Sequence, residues 1–327
     1  MKNILLLDTS VASQNKGDEI IMECVHKELG FILRDNFEYT LPTHVSPFHW
    51  YQVWRNSLRL QSYANCKYKF VGGSNILVKN LLTHYPQWNI NIFNYQPLKG
   101  CVLVGVGAGA GDKTNVYTKH IYKKMLSHSF YHSVRDERSR KYVESLGLKA
   151  INTGCVTMWA LTPEFCKNIP TSKADKVVFT LTANSRLDVR DKKLIDTLTT
   201  NYAEVYFWPQ GINDYKYFHG FTGIDDIKIL QATRTAYDDF LTNNDTDYVG
   251  TRLHGGVYAM RHGRRSIIIA IDERAREIHK VNHLNCIEKD DIGQLGDIIN
   301  SEVVTDVRMD LDEIKRWKEQ FIEYGTN

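Results

Sequence analysis

Asp247-Tyr248-Val249-Gly250-Thr251-Arg252-Leu253-His254-Gly255-Gly256 runs from a strand end through a short turn into a helix start. Tyr248-Val249 supplies the strand and Gly250-Thr251 the turn. Arg252 and His254 stand where the helix opens. A cation and an imidazole two residues apart, beside free helix N–H groups, form an anion pocket, and a histidine can move protons near neutral pH. Next come Arg261, His262, Arg264 and Arg265, then the apolar run Ile267 to Ile271, then Asp272-Glu273-Arg274-Ala275-Arg276. Short apolar runs of this kind are the pattern of buried parallel strands. Taken alone, one Arg and one His beside paired glycines are more often surface or packing residues. Recurrence of the same strand–turn–helix unit along the chain is what decides the fold class.

At the start, Ile4 to Leu7 forms a short apolar strand ending in Asp8. A polar loop leads to Gly17-Asp18-Glu19, which opens a helix through Ile20, Ile21, Cys24, Val25 and Leu29. Asp18 or Glu19 lies in its first turn, where the helix dipole favours a carboxylate; plain capping is the alternative reading. Phe31 to Asn65 carries Pro42, Pro47, Trp50 and Trp54, with a strand expected near Glu38 to Leu41 and aromatic rings suited to core packing or sugar stacking. Tyr68 to Val71 reads as a strand. Gly72-Gly73-Ser74-Asn75 is expected as a loop at its end, where paired glycines let a ligand approach the backbone, followed by a helix through Ile76, Leu77 and Leu81.

Cys101 to Val106 is a third strand, running into the glycines 105 to 111. Gly105, Gly107 and Ala110 fit G-x-G-x-x-A, but that motif belongs after the first strand with an acidic residue about 20 positions on, and none ends a strand there. The stretch reads instead as a flexible glycine loop bordering a cleft. Phe130 to Val134 is a strand ending at Arg135-Asp136-Glu137-Arg138-Ser139, with a helix after it closed by Gly147. Thr162 to Lys176 holds two of the seven prolines and reads as a linker. The pattern then restarts with strands at Val177 to Leu181, Val205 to Trp208 (ending in Pro209-Gln210-Gly211), Tyr248-Val249 and Ser266 to Ile271. Helices are expected at Lys192 to Thr200, Arg234 to Leu241, Asp290 to Ile299 and Leu311 to Tyr324.

Repeated alternation over 327 residues predicts an α/β protein of two doubly wound, Rossmann-like domains facing a cleft, residues 1–165 and 166–327. Whether the last helix returns to the first domain is open. A formal charge of +3 argues against a nucleic-acid binder and leaves room for a local basic site. Six scattered cysteines without a CxxC read as reduced thiols of a cytosolic protein, and no zinc or other metal site is expected. Four apolar residues before Asp8 are too few for a signal peptide, and no window reaches 18 apolar residues. Loose attachment to a membrane through basic residues stays open.

Read together, these stretches resemble the polysaccharide pyruvyl transferase family. Asn15-Lys16-Gly17-Asp18 is similar to its N-terminal Asn-x-Gly-Asp element, Gly72-Gly73-Ser74-Asn75 to its paired-glycine loop, and Gly105 to Gly109 to its glycine-rich turn. Arg135-Asp136-Glu137-Arg138-Ser139 is similar to its Arg-Asp-x-x-Ser element, and Arg252-Leu253-His254-Gly255 to its Arg-Leu-His-Gly element. Order and spacing agree over roughly residues 8 to 280. The resemblance implies a GT-B-like fold, with the acceptor on the first domain and the donor on the second. It implies transfer of pyruvate from phosphoenolpyruvate to a sugar as a ketal, without a metal or other cofactor. Arg135, Arg252 and His254 match the family's phosphoenolpyruvate site, with Gly255 beside them, and Asp18 matches its acceptor-side carboxylate. Gly17, Gly72, Gly73, Ser74, Asn75 and Gly107 fall in the loops expected to line the cleft.

Two departures stand out. Arg274 occupies a place where the family usually has a lysine; it keeps the charge and can grip an anion two-pronged, but cannot give up a proton. The early loop reads Asp8-Thr9-Ser10-Val11 instead of the family's glycine-and-aromatic start. The expected partners are phosphoenolpyruvate and a sugar or lipid-linked oligosaccharide of a capsule or exopolysaccharide, in the cytoplasm or at the inner membrane face. The other readings are a GT-B glycosyltransferase using a nucleotide sugar, and a glycan- or anion-binding protein of the same fold.

Overall fold

The computed structural model describes residues 1–83, 87–109, 111 and 113–322, with the backbone alone at Arg274. The chain divides into two compact units: Met1–Ser13 with Ile21–Trp159 and the chain from Asp310 onward, and Gln14–Ile20 with Ala160–Met309.

The first unit opens with β1 (Asn3–Asp8), α1 (Lys16–Glu28, whose first residues to Ile20 group with the second unit) and α2 (Gly30–Leu33). Then come β2 (Phe37–Pro42), α3 (Trp50–Arg55), α4 (Leu58–Ala64), β3 (Tyr68–Leu77), β4 (Cys101–Ala108), α5 (Val116–Met125), β5 (His132–Val134), α6 (Glu137–Ser145) and β6 (Ala150–Asn152). Its six strands are ordered β2-β1-β3-β4-β5-β6, and every pair is parallel. Strands buried on both faces need near-continuous apolar runs, and Ile4 to Leu7 and Cys101 to Val104 are that. Leu5, Leu7, Val71, Leu103 and Val106 form the centre of its core with Trp88.

The second unit contains α7 (Pro163–Cys166), β7 (Lys176–Thr180), α8 (Val189–Asn201), β8 (Glu204–Phe207), α9 (Asp214–Phe218), β9 (Lys228–Ile229) and α10 (Arg234–Asn243). It continues with β10 (Asp247–Gly250), α11 (Leu253–Arg261), β11 (Ser266–Ala270), α12 (Glu273–Asn282), β12 (Cys286–Glu288) and α13 (Leu295–Asn300). Its order is β12-β11-β10-β7-β8-β9, again all parallel. Counted within the unit this is the 3-2-1-4-5-6 order of the Rossmann fold, with the change of direction between β7 and β10. Phe179, Phe207, Val249, Ile267 and Ile269 line its core.

The last helix, α14 (Leu311–Glu319), belongs to the first unit. Fully buried Trp317 fixes it there: its indole N–H donates to the Tyr131 carbonyl at 2.9 Å, and its ring meets Phe70 and Trp159 edge-on. The helix stops at Glu319, short of the expected Tyr324: Gln320 caps it and the chain turns through Phe321, and residues 323–324 lie outside the described residues.

Three sequence expectations are corrected. Gly72 to Asn75 is not a loop: β3 runs through it to Leu77, and no helix forms over Ile76 to Leu81. Glycine is used there for space. A Cβ at Gly72 would stand 2.3 Å from Met22 Sδ on α1, and one at Gly73 3.2 Å from the Gly105 carbonyl of β4. Gly105 and Gly107 are likewise inside β4, which extends to Ala108; Ala110 lies outside the described residues. The expected helix from Asp290 to Ile299 is instead a 3-10 turn, Lys289–Gln294, leading into α13.

Candidate functional site

In a doubly wound sheet the strand ends at the change of direction open a crevice. In the second unit these are the C-terminal ends of β7 and β10, at Thr180 and Gly250. A Cβ at Gly250 would stand 2.5 Å from Thr180 Oγ1, so glycine lets the strands close. The Tyr248 hydroxyl donates to the Arg252 carbonyl at 2.8 Å and accepts from Thr180 Oγ1 at 2.6 Å. Thr180 Oγ1 in turn accepts the Arg252 N–H at 3.2 Å. This closed ring fixes the backbone one residue before α11. Burial pushes the Tyr248 phenol up, keeping it a neutral donor.

Arg252 is not an isolated cation. Its Nε donates to Asp214 Oδ2 at 3.0 Å and its Nη2 to Asp214 Oδ1. Asp214 is fully buried and also accepts the Gly211 N–H at 2.7 Å and the Ala183 N–H at 3.1 Å. The arginine side chain keeps 19% exposure, and its Nη1 has no hydrogen-bond partner among the described residues. One edge of the guanidinium is therefore anchored and the other can meet an anion.

His254 is the second residue of α11 and is buried. Against it lies the turn that starts α1. Asn15 bridges antiparallel to Gly211, the Lys16 N–H donates to the Gln210 carbonyl at 2.8 Å, and the Ile212 N–H donates to the Gln14 carbonyl at 3.0 Å. Asn15 Oδ1 accepts both the Gly17 N–H at 3.0 Å and Gln210 Nε2 at 2.8 Å. Gly17 is held so close that a Cβ would stand 2.8 Å from Gln210 Nε2 and 3.2 Å from His254 Nδ1. Asp18 follows directly in the first turn of α1 and is also buried. The Asn-x-Gly-Asp and Arg-x-His-Gly elements, well over 200 residues apart in sequence, thus meet in one place. Sequence order puts Asp18 in the first domain; its contacts group it with the second unit.

Two residues here escaped the sequence reading. Gln210 ties the α1 turn to the sheet, and its buried Oε1, 3.0 Å from where a Gly255 Cβ would stand, has no hydrogen-bond partner among the described residues. Its position between Pro209 and Gly211 at a strand end was the available signal. Asp214 had none, because it meets Arg252 from 38 positions away.

The first unit holds Arg135, the stretch Gly72 to Asn75 and Gly107, while Arg274 is in the second. Arg135 follows β5 with 7% of its side chain exposed, and its Nε donates to Asp136 Oδ2 at 3.2 Å. Asp136 caps α6 by accepting the Ser139 N–H at 2.7 Å, and Ser139 Oγ accepts the Ala108 N–H at 2.7 Å. Arg138 holds the Ala108 and Gly109 carbonyls at 2.7 and 3.0 Å. Arg135 packs against β4 at Gly107: a Cβ there would stand 2.5 Å from its guanidinium carbon and 2.6 Å from Asn75 Oδ1. That Asn75 oxygen is buried without a hydrogen-bond partner among the described residues. Beside it Ser74 has φ 80°, left-handed for a non-glycine, where the β3–β4 register shifts. Arg274 falls in the first turn of α12, and its side chain lies outside the described residues.

The family model described as polysaccharide pyruvyl transferase matches residues 15–273. No curated protein is significantly similar in sequence. Among solved structures, the Methanocaldococcus jannaschii UDP-GlcNAc 2-epimerase in complex with UDP-GlcNAc and UDP aligns with TM-score 0.53 and 11% identity, over 98% of this chain and 99% of that one. The Neisseria meningitidis UDP-GlcNAc 2-epimerase aligns with TM-score 0.53 and 10% identity, covering 98% and 99%. S. aureus MnaA with UDP gives 0.52 and 9%, covering 97% and 95%. At these identities the likeness is one of fold: a two-domain, GT-B-like α/β protein.

Proposed function

Since the chain belongs to the polysaccharide pyruvyl transferase family, we propose that it moves pyruvate from phosphoenolpyruvate onto two hydroxyls of a sugar as a ketal, releasing phosphate. The acceptor is a surface polysaccharide or its precursor, lipid-linked or free. The observation that carries this reading is the meeting of Arg252, His254 and the Gly17-Asp18 turn at the direction change of the second sheet.

Phosphoenolpyruvate presents a phosphate and a carboxylate. The open edge of Arg252 and the N-terminus of α11 suit one of them; Arg135 is the family-matched cation for the rest, and Arg274 stands where the family has a lysine. Ketal formation begins when the methylene carbon takes a proton and becomes a methyl group, leaving the central carbon electrophilic. A sugar hydroxyl adds to that carbon and loses its proton. The phosphate then departs with its bridging oxygen and picks up a proton, and a second hydroxyl closes the ring with loss of its own. Two hydroxyl protons are released; one proton goes to the methyl group and one to phosphate. His254 is assigned the donor-side proton and Asp18 the base or positioning group for the sugar. Groups so placed typically give about 10²–10⁴-fold each.

The separating experiment is ligand stabilisation. A ligand that binds only the folded chain raises its melting temperature. Phosphoenolpyruvate is expected to raise it, and less so in Arg252→Lys. A rise with nucleotide sugars and none with phosphoenolpyruvate would replace this reading with glycosyl transfer.

A further inference from the structure

Residues 39–111 contain six Lys and Arg (Arg55, Arg59, Lys67, Lys69, Lys79, Lys99) and not one Asp or Glu. The chain as a whole is near charge balance at +3, so the remainder is net acidic and the positive charge is segregated into the first unit. Within this run α3 has no buried residue, although three of its six residues are aromatic. Trp50 is 65% exposed, Trp54 79% and Leu58 82%. Trp50 and Trp54, four residues apart, share one helix face. Tyr51 and Arg55 share the adjoining one, with the guanidinium 5.9 Å from the ring centroid. Next to this face a cavity of about 380 Å³ is lined by Tyr51, Gln52, Arg55, Ser57, Arg59 and Tyr63 among others.

We propose that the α3–α4 surface seats the first unit on a bilayer carrying anionic phospholipid, with Trp50, Trp54 and Leu58 entering the interface and Arg55 and Arg59 taking a lipid phosphate. Indoles and an exposed leucine flanked by arginines, in a stretch of chain without an acid, are the composition that an anionic interface selects. A glycan platform would turn its rings into the groove; Trp50 and Trp54 are not among the groove's lining residues, and Leu58 offers no stacking face. Among the described residues no helix is long and apolar enough to cross a membrane, so this attachment is peripheral. It requires no particular chemistry at the switch-point crevice and stands whether or not phosphoenolpyruvate is the donor.

The test is flotation of the full chain with vesicles of one part phosphatidylglycerol to two parts phosphatidylcholine, against phosphatidylcholine alone. Wild type should float with the anionic vesicles only, and release as salt rises. Arg55→Gln and Arg59→Gln should each weaken binding about 5-fold, and Trp50→Ser combined with Trp54→Ser at least about 10-fold, with unchanged melting temperatures because these side chains are exposed. A blue shift of tryptophan emission on anionic vesicles should vanish in the double Trp variant. Equal flotation with neutral vesicles, or wild-type flotation by the double Trp variant, overturns the proposal. So does an emission change on adding soluble polysaccharide, lost in the same variant, without vesicle binding.

Discussion

Arg135 and Arg252 are built alike and held differently. Each follows the C-terminal end of a parallel strand, each precedes a helix, and each has an aspartate on its guanidinium. Arg135 uses its sequence neighbour, Asp136, which also caps α6. Arg252 uses Asp214 of α9, fully buried and bonded to two backbone N–H groups besides. The first arrangement is local, with a carboxylate that keeps some exposure; the second is long-range, with a carboxylate fully buried under an arginine whose outer edge stays open. In the second unit, therefore, one ion pair serves both the fold and the crevice.

The contrast can be broken most sharply by truncating each arginine. Arg252→Ala strands a buried carboxylate and should cost about 3–5 kcal/mol. Arg135→Ala leaves Asp136 at 14% exposure with its cap intact and should cost about 1–2 kcal/mol. Urea unfolding of both variants measures the gap, and equal costs would erase the distinction.

A second test turns on a buried histidine of the first unit. His132, in the first unit, is fully buried; its Nε2 faces the Ser127 carbonyl at 2.9 Å and its Nδ1 the Leu103 N–H at 3.2 Å. The pair of contacts requires the neutral tautomer with hydrogen on Nε2, and burial holds the imidazole down at about 4. Between about pH 6.5 and 4 the unfolded chain binds the proton and the folded chain does not. Stability is thus full above 6.5 and falls on acidification through that window, by up to about 3 kcal/mol. His132→Gln should be less stable at neutral pH yet show a flatter pH dependence over the same window. An unchanged slope would contradict the assignment.

The glycines give the smallest stability effects. Gly107→Ala drives a methyl into the Arg135 guanidinium and should cost about 1–3 kcal/mol by overpacking. Gly17→Ala meets the ends of the Gln210, Asn15 and His254 side chains, which can shift. It should cost about 1 kcal/mol or less while lowering phosphoenolpyruvate-dependent phosphate release at least about 10-fold. Melting curves beside turnover separate the two.

What could be read from the sequence follows the same divide between local and long-range. Parallel strands buried on both faces announce themselves as apolar runs, so the inner strands of both sheets and the longer helices were legible, whereas the short edge strands β9 and β12, exposed or half-buried, carry no such run. Arg135-Asp136-x-x-Ser139 carries its own cap and could be placed from five residues. Gly72, Gly73, Gly105 and Gly107 misled because glycine usually punctuates loops, whereas here it makes room inside strands for Met22, Ile21, Val156 and Arg135 respectively. Asp214 and Gln210 were invisible as partners: their meaning lies in Arg252 and in Asn15, 195 positions from Gln210. That Gln14–Ile20 groups with the second unit, bringing Gly17 against His254, is a tertiary fact with no local trace.

His254 is proposed to carry the donor-side proton in pyruvyl transfer at this crevice. His254→Gln keeps a polar side chain of similar reach but cannot exchange a proton near neutral pH. Phosphate release from phosphoenolpyruvate with a sugar acceptor is the direct measurement, taken beside phosphoenolpyruvate affinity and the melting temperature. The expected result is turnover reduced about 10²–10⁴-fold with affinity and stability near those of wild type. Wild-type turnover in a folded His254→Gln protein would contradict it.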